Sequence, residues 1–186
     1  MRKLFSFLII LPAFISIAYA QGTLKSTDDQ RYSRMPRPAE SPFFMKGQEL
    51  QSFSASDING QKIKLNDLAG KVVVLNFWFI GCPPCRMEIP ELNKIASKYA
   101  NDPDVVFVAI GLDDKSDIRQ FVKNNPFGYH LVDDGKDYAR LYKINLFPTN
   151  VVLDKAGKVM FHSSGYAMNT PYWINKTIAE ARQASL

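Results

Sequence analysis

Residues 71–90 read KVVVLNFWFIGCPPCRMEIP, and this stretch decides the fold of the chain. Its opening, KVVVLNFW (71–78), is almost continuously apolar and does not alternate, which is typical of a central strand covered on both faces. Cys82 and Cys85 follow, and apolar residues then recur at helical spacing from Ile89 to Tyr99. The stretch therefore predicts a buried strand that leads, through a Cys-x-x-Cys turn, into a helix.

The two cysteines favour redox chemistry. Cys82 falls at the start of the predicted helix, where free backbone N–H groups and the helix dipole stabilise a thiolate, the form that attacks a disulfide. Cys85 lies one turn further on and can resolve a mixed disulfide. A zinc site needs four ligands, and the remaining candidates, His130 and His162, lie in separate strand regions. A purely structural bridge over so short a loop would stabilise little.

The flanking sequence alternates strands with helices. Gln51–Ser56 and Lys62–Leu65 flank Asn59-Gly60, a strong hairpin signal, and Val105–Gly111 predicts a second buried strand. The remaining predicted elements are a helix from a Ser116 cap to about Asn124, a short strand Tyr129–Val132, a short helix Lys136–Tyr142, an antiparallel strand pair Asn150–Leu153 and Lys158–Ser163, and a helix from Thr170 to about Gln183. This order predicts a three-layer α/β sandwich.

The first twenty residues have the layout of a secretory signal. A positive start is followed by an apolar run to Ile17 and by the small residues of Ala18-Tyr19-Ala20, so we expect cleavage after Ala20 and an extracytoplasmic protein. An uncleaved membrane anchor is less favoured, because the run is shorter than the ~20 residues a spanning helix needs. Residues 21–46 contain three prolines and no apolar period, which predicts a flexible N-terminal arm whose Phe43-Phe44 could dock on the domain.

Composition excludes several classes of protein. Lys plus Arg number 23 and Asp plus Glu 18; without residues 1–20, which hold two cations and no acid, the balance is 21 − 18 = +3. So small an excess does not predict nucleic-acid binding. The chain has 2 cysteines, which excludes a disulfide-stapled scaffold.

Residues 76–90, NFWFIGCPPCRMEIP, resemble the active-site segment of the thioredoxin-like family. The resemblance is closest to the TlpA/ResA-type extracytoplasmic thiol-disulfide oxidoreductases, and it continues through the Asn59-Gly60 hairpin, residues 67–71 and residues 147–159. It implies a thioredoxin fold, a three-layer α/β/α sandwich, with an added N-terminal β-hairpin and a central insertion. The expected organisation is a signal peptide (1–20), the arm (21–46) and a thioredoxin-like domain (47–186).

The same resemblance implies an activity and its partners. We expect reduction of disulfides in client proteins, with apocytochrome c as a candidate client and a membrane electron donor of the DsbD/CcdA kind. No cofactor or metal is implied beyond a redox-active Cys82–Cys85 disulfide. A cis Pro148 should face the cysteine pair and leave the Phe147 backbone open to pair with a substrate strand. The residues expected to contact substrate are Trp78, Gly81, Pro83, Pro84, Phe147, Pro148 and Thr149.

The sequence departs from the family at two positions. Thioredoxin has a buried Asp where this chain has Asn76, and a neutral amide cannot take a proton from Cys85. Glu88, three residues past Cys85 and on the same side of the helix, is the candidate replacement, and ResA-type members share this spacing. The alternative is an exposed first-turn acid that only favours the helix dipole. Gly81 stands where many members have Trp.

Three other functions compete with a reductase. An oxidant would need a strongly stabilised Cys82 thiolate, but Pro83 and Pro84 have no N–H to donate to its sulfur. We therefore expect a reduction potential nearer that of thioredoxin, about −270 mV, than that of DsbA, about −120 mV. A peroxiredoxin-type thiol peroxidase usually has Thr or Ser three residues before its reactive cysteine, where this chain has Phe79. Retention of both cysteines argues against a redox-dead binding module.

Overall fold

A computed structural model describes residues 27–184. The predicted signal peptide and the first residues of the arm lie outside this range. The strands are β1 Ser54–Ser56, β2 Lys62–Lys64, β3 Val72–Trp78, β4 Val105–Gly111, β5 His130–Val132, β6 Thr149–Leu153 and β7 Val159–Ser164. The helices are α1 Thr27–Ser33, α2 Pro83–Lys98, α3 Lys115–Val122, α4 Lys136–Leu141 and α5 Thr170–Gln183, with a 3-10 turn at Leu65–Leu68. Among these helices, none combines the length and the apolar content needed to cross a membrane.

A central five-stranded sheet has the order β5-β4-β3-β6-β7. β3 pairs in parallel with β4 and antiparallel with β6, while β6 and β7 form an antiparallel hairpin. α3 and β5 lie between β4 and α4 in the chain and form the central insertion. The predicted thioredoxin fold is confirmed, and β3, which leads to the cysteines, lies in the middle of the sheet.

The core is divided between the two faces of this sheet. Val72, Val74 and Trp78 point to the face covered by α2, α3 and α5. Val73, Leu75 and Phe77 alternate with them and point to the opposite face, where α4 and the β1–β2 hairpin pack. Every residue of β3 is therefore buried, which explains why the run in the sequence is apolar except for Asn76.

The predicted hairpin around Asn59-Gly60 is formed by β1 and β2 as a separate two-stranded sheet. Gly60 has φ +91°, a left-handed conformation that suits glycine. The tip of the hairpin also lies against the edge strand β5, because the Ile58 N–H donates to the Leu131 carbonyl at 2.8 Å and Asp57 bridges to Val132.

The arm differs from the prediction. Residues 27–33 form the helix α1, and residues 36–49 lie along the domain instead of standing away from it. Phe44 is 5% exposed, so its predicted docking is confirmed, and Arg37 lies over the Trp173 ring at 4.1 Å. Local sequence could not show this, because the contacts are made with residues more than a hundred positions further along the chain.

The docked arm covers the edge strand β7. The Ser164 N–H donates to the Ala39 carbonyl at 3.1 Å, the Gly47 N–H donates to the Val159 carbonyl at 2.8 Å, and the Val159 N–H donates to the Gln48 carbonyl at 2.9 Å. Backbone groups on the outer side of β7 thus find partners within the chain.

Candidate active site

Cys82 and Cys85 form a disulfide at the N-terminus of α2, with their Cα atoms 5.3 Å apart. Cys82 is the N-cap residue of the helix, and the Cys85 N–H donates to the Cys82 Sγ at 3.2 Å. The two residues are 3% and 2% exposed. The local sequence dictates this arrangement, because prolines fit the first turn of a helix, where no intrahelical partner awaits their missing N–H.

The same two prolines limit the stabilisation of a Cys82 thiolate. Pro83 and Pro84 have no N–H to donate, so among the described residues the Cys82 Sγ accepts its hydrogen bond from Cys85 alone. A thiolate here keeps the helix dipole but lacks the additional first-turn donors that other residues would provide. The reducing potential expected from the sequence stays a prediction.

Apolar residues surround the disulfide on the surface. Gly81 and Pro83 are exposed, and Pro84 is half-buried. Met87, one of the exposed apolar side chains of the described chain, is 59% exposed directly after the first turn of α2. A Cβ at Gly81 would lie 3.6 Å from the Phe79 ring, which is an ordinary van der Waals distance. A side chain would therefore fit here, and glycine leaves this space open.

The loop before β6 packs against Phe79, in the segment that leads to the cysteines. The Phe147–Pro148 peptide bond is cis, as predicted, and Phe147 packs against the cluster that contains both cysteines. Its ring meets the Phe79 ring edge-on, with centroids 5.4 Å apart. The Pro148 carbonyl accepts from the Gly165 N–H at 2.8 Å, whereas the backbone of Phe147 forms no hydrogen bond within residues 27–184. Phe147 therefore keeps free backbone groups for a partner.

Three of the predicted substrate contacts, Trp78, Pro148 and Thr149, are buried. Trp78 is 0% exposed and packs against Phe121 and Phe127, with ring centroids 5.6 Å apart in both pairs. Thr149 is also 0% exposed, and its hydroxyl bonds to the Leu146 carbonyl at 2.7 Å and to the Ser164 hydroxyl at 2.8 Å. Their side chains support the site from within and offer no surface to a substrate in this structure.

Glu88 lies inside the protein behind the disulfide. It is 1% exposed, one helical turn after Cys85, so the alternative interpretation of an exposed helix-end acid is wrong. Burial raises the pKa of its carboxyl from 4.5 to about 7, and a hydrogen bond from Asn150 opposes this shift. A carboxyl whose pKa is near neutral is suited to exchange a proton with a neighbouring thiol.

Asn150 is the functional residue that sequence reasoning missed. Its Nδ2 donates to both Glu88 carboxyl oxygens at 3.1 Å, and its Oδ1 accepts from the Asn76 Nδ2 at 2.9 Å. Asn76 and Asn150 are direct partners in the register of β3 and β6. In the sequence, Asn150 is visible only as a polar residue beside the apolar residues of TNVVL (149–153). Its partners are revealed by the strand register.

The remaining titratable candidates lie apart from the disulfide. His130 Nδ1 lies 3.2 Å from an Asp57 carboxyl oxygen, and His162 Nδ1 accepts from the Ser41 N–H at 3.1 Å. Tyr129 lies nearer to Glu88: burial, and then the charge of Glu88, raise the pKa of its hydroxyl. This hydroxyl is buried and has no hydrogen-bond partner among the described residues. Within residues 27–184, no three His, Cys, Asp or Glu side chains are grouped to hold a metal ion.

Comparison with known proteins identifies the family. The model of the AhpC/TSA family matches residues 46–162. The chain is 35% identical over 116 residues to a thiol-disulfide oxidoreductase ResA of Bacillus cereus, an alignment that covers 61% of this chain and 66% of ResA. It is 34% identical over 116 residues to the thioredoxin-like protein YneN of Bacillus subtilis, covering 61% of this chain and 68% of YneN. The chain thus spans about two thirds of the length of these relatives.

Solved structures agree with these relatives. A Chlorobium tepidum protein provisionally named thiol:disulfide interchange protein DsbE is similar with a TM-score of 0.68 and 29% identity, over 75% of this chain and 99% of that one. The thioredoxin domain of a Bacteroides vulgatus thiol-disulfide oxidoreductase is similar with a TM-score of 0.62 and 25% identity, over 73% and 99% of the two chains. The chain therefore belongs to the AhpC/TSA family of thioredoxin-like proteins, among the thiol-disulfide oxidoreductases of ResA type.

Proposed function

We propose that this protein is an extracytoplasmic protein-disulfide reductase that works through Cys82 and Cys85, with Glu88 as the proton acceptor. The observation that carries the proposal is the position of the disulfide, at the N-terminus of α2, one turn before a buried carboxyl whose pKa is about 7. The relatives support the class of reaction, since ResA is named a thiol-disulfide oxidoreductase.

The reaction begins with the reduced enzyme. The Cys82 thiolate attacks one sulfur of a client disulfide, a mixed disulfide forms, and the other client sulfur leaves as a thiolate. The position of Cys82 at the helix N-terminus favours its thiolate, because the positive end of the helix dipole lies there. The leaving thiolate takes a proton from solvent.

Resolution requires a proton acceptor. Cys85 is 2% exposed, and burial disfavours the thiolate that it must become. Glu88 accepts the Cys85 proton, the Cys85 thiolate attacks the Cys82 sulfur, and the Cys82–Cys85 disulfide closes as the second client thiolate leaves. Two electrons pass from the enzyme dithiol to the client, which is released as a dithiol.

The surface around the disulfide suits an extended, apolar client segment. The free backbone groups of Phe147 can add a short stretch of client strand, in the manner of β-augmentation. The exposed side chains of Met87 and Leu146, at 59% and 49%, supply apolar contact, and the exposed Gly81 and Pro83 leave an approach to Cys82. A polypeptide that has not finished folding, such as apocytochrome c, fits this description.

The cycle also needs a reductant, because each turnover leaves the enzyme oxidised. A membrane electron donor of the DsbD/CcdA kind would supply the two electrons on the extracytoplasmic side. It would use the same exposed approach to the disulfide as the clients, so that donor and client bind in turn.

The alternative functions gain less support from the site. A thiol peroxidase would use a hydroxyl three residues before its reactive cysteine, but Phe79 occupies this position and packs against Phe147. An oxidant would need more hydrogen bonds to the Cys82 sulfur than the one that Cys85 donates. The direction of electron transfer is decided by the reduction potential.

The purified protein should accelerate the reduction of insulin by dithiothreitol. Its equilibrium with glutathione should give a potential closer to the thioredoxin value of about −270 mV than to the DsbA value of about −120 mV, because one donor stabilises the Cys82 thiolate. A potential near the DsbA value would establish the oxidant instead.

Processing in the native host is expected to remove the apolar N-terminal segment. The mature protein should begin at Gln21 and fractionate outside the cytoplasm, because Ala18-Tyr19-Ala20 presents small residues at the two positions that a signal peptidase reads. Mass spectrometry of the intact protein checks the new N-terminus. Recovery of a chain that retains residues 2–20 in the membrane fraction would point to an anchor.

A further inference from the structure

Three buried polar side chains form a line across the apolar core behind the disulfide. Asn76 is 2% exposed, Asn150 0% and Glu88 1%. Asn76 Nδ2 donates to Asn150 Oδ1 at 2.9 Å, and Asn150 Nδ2 donates to both Glu88 oxygens at 3.1 Å. Burying polar groups costs free energy unless each has a partner, so the line depends on keeping its hydrogen bonds.

The direction of these hydrogen bonds suits one protonation state of Glu88. Both donors point towards the carboxyl, which is the arrangement that a carboxylate requires because it can only accept. A protonated carboxyl has an O–H that needs an acceptor, and the Asn150 NH₂ group cannot provide one. The observed arrangement would therefore leave that proton without a partner.

An amide can donate to the carboxylate and accept from the protonated carboxyl if its side chain rotates. Rotation of the Asn150 side chain by half a turn exchanges its oxygen and nitrogen at nearly unchanged shape, so that Oδ1 accepts from the Glu88 O–H. Asn150 Nδ2 then faces Asn76, which accepts through its own Oδ1 once it has also turned. In both arrangements the asparagines keep a hydrogen bond to each other and Asn150 stays hydrogen-bonded to Glu88: its Nδ2 donates to both oxygens of the carboxylate, or its Oδ1 accepts from the O–H of the protonated carboxyl.

We propose that Asn150, oriented by Asn76, is the positioning residue that lets Glu88 gain and lose a proton while buried, because the two amides reverse together. This inference rests on the proposed function, in which Glu88 receives the Cys85 proton and later releases it. No proton travels through the amides themselves; they only keep Glu88 hydrogen-bonded in each state.

Few other groups can influence this titration. On α2 the neighbour is Cys85, which is held in the disulfide and does not titrate in the oxidised protein. The segment before β5 contributes Tyr129, whose pKa responds to the charge of Glu88. β3 and β6 contribute the neutral amides of Asn76 and Asn150. Among the described residues, burial and the Asn150 hydrogen bond are the causes that shift the pKa of Glu88.

The first test uses the unmodified sequence in its oxidised form. The Glu88 carboxyl carbon and the side-chain amides of Asn76 and Asn150 are followed by NMR from about pH 5 to about pH 9, a range that brackets a carboxyl raised by burial. All three signals should titrate with one midpoint, and the amide response should disappear in Glu88→Gln. Titration of Glu88 without any response of the two amides would overturn the proposal.

The second test removes the amide at similar size. In Asn150→Leu the Glu88 midpoint should rise by about one pH unit, since a hydrogen bond to the charged form is lost, and the pH profile of insulin reduction should move up with it. Asn175→Leu, which removes an amide bonded to Lys98 and Tyr99, is the control and should leave the midpoint unchanged. A folded Asn150→Leu protein with an unchanged or lowered midpoint would contradict the inference.

These measurements separate the inference from the proposed function. The NMR titration needs neither client nor reductant, so absence of insulin reduction would reject the reductase and leave the coupled titration to be decided on its own. If Asn150→Leu fails to fold, the titration of the unmodified sequence still decides the question.

Discussion

Replacement of Cys85 by Ala is expected to leave the enzyme attached to its clients. Cys82 would still attack a client disulfide, but the buried thiol that resolves the mixed disulfide one turn along α2 would be missing. Insulin reduction should fall to the level of dithiothreitol alone, and mixed disulfides should accumulate. Non-reducing electrophoresis of extracytoplasmic extracts, followed by mass spectrometry, would identify the clients.

The matched control for this experiment is Cys82→Ala. It removes the N-cap residue, whose thiolate the helix dipole favours, and leaves Cys85 as the remaining thiol, so it should capture no clients. Equal capture by the two variants would show that Cys85 also attacks client disulfides, and would contradict the roles assigned to the cysteines.

Replacement of Glu88 by Gln should slow insulin reduction about a hundredfold near neutral pH, the low end of the range that a positioned general base contributes. In the unmodified enzyme the carboxylate fraction grows as the pH rises through about 7, so the resolving step should accelerate over the same interval. The variant should lose this pH-dependent increase in turnover, while the rate at which Cys82 is alkylated in the reduced protein should stay unchanged.

Glu91→Gln is the matched control, because Glu91 lies on the same helix but faces solvent and pairs with Lys94 at 2.6 Å. Its turnover and pH profile should equal those of the unmodified enzyme. If Glu88→Gln behaved like Glu91→Gln, Glu88 would have no part in proton transfer.

The stability of the same variant provides an independent readout. The Glu88 carboxyl has a reference pKa of 4.5 and a folded-state pKa of about 7, so between these values the folded protein binds the proton more tightly than the unfolded chain. The free energy of unfolding must then fall as the pH rises through this window, by on the order of 3 kcal/mol. Glu88→Gln cannot ionise and should lack this decline in denaturant unfolding at pH values below and above the window.

Much of the fold could be predicted because its signals are local. The apolar run of β3, the Cys-x-x-Cys turn and the Asn59-Gly60 hairpin each depend on neighbouring residues, and all three are found in the structure. Small differences also have local causes. The helix α3 begins at Lys115, before the predicted Ser116 cap, because the Asp114 carbonyl accepts from the N–H groups of Asp117 and Ile118.

The features that sequence reasoning could not predict depend on distant parts of the chain. Spacing alone placed Glu88 on the Cys85 side of α2, but its burial depends on packing between the helix and the sheet, and its partner Asn150 is 62 residues away. The complete burial of Trp78 results from Phe121 and Phe127 in the same way. The cis bond before Pro148 was predicted from the resemblance to the family, since no local pattern distinguishes it.

The covered edges of the central sheet have a consequence for the proposed function, in which the enzyme meets unfolded chains. An open edge strand recruits any extended polypeptide, and an unfinished client offers many such segments. Here the chain's own backbone occupies both edges, at β7 through residues 39–49 and at β5 through residues 57–58. In the proposed reaction a client strand therefore cannot pair at these two edges, whereas the backbone groups of Phe147 have no hydrogen bond within residues 27–184 and stay available to it.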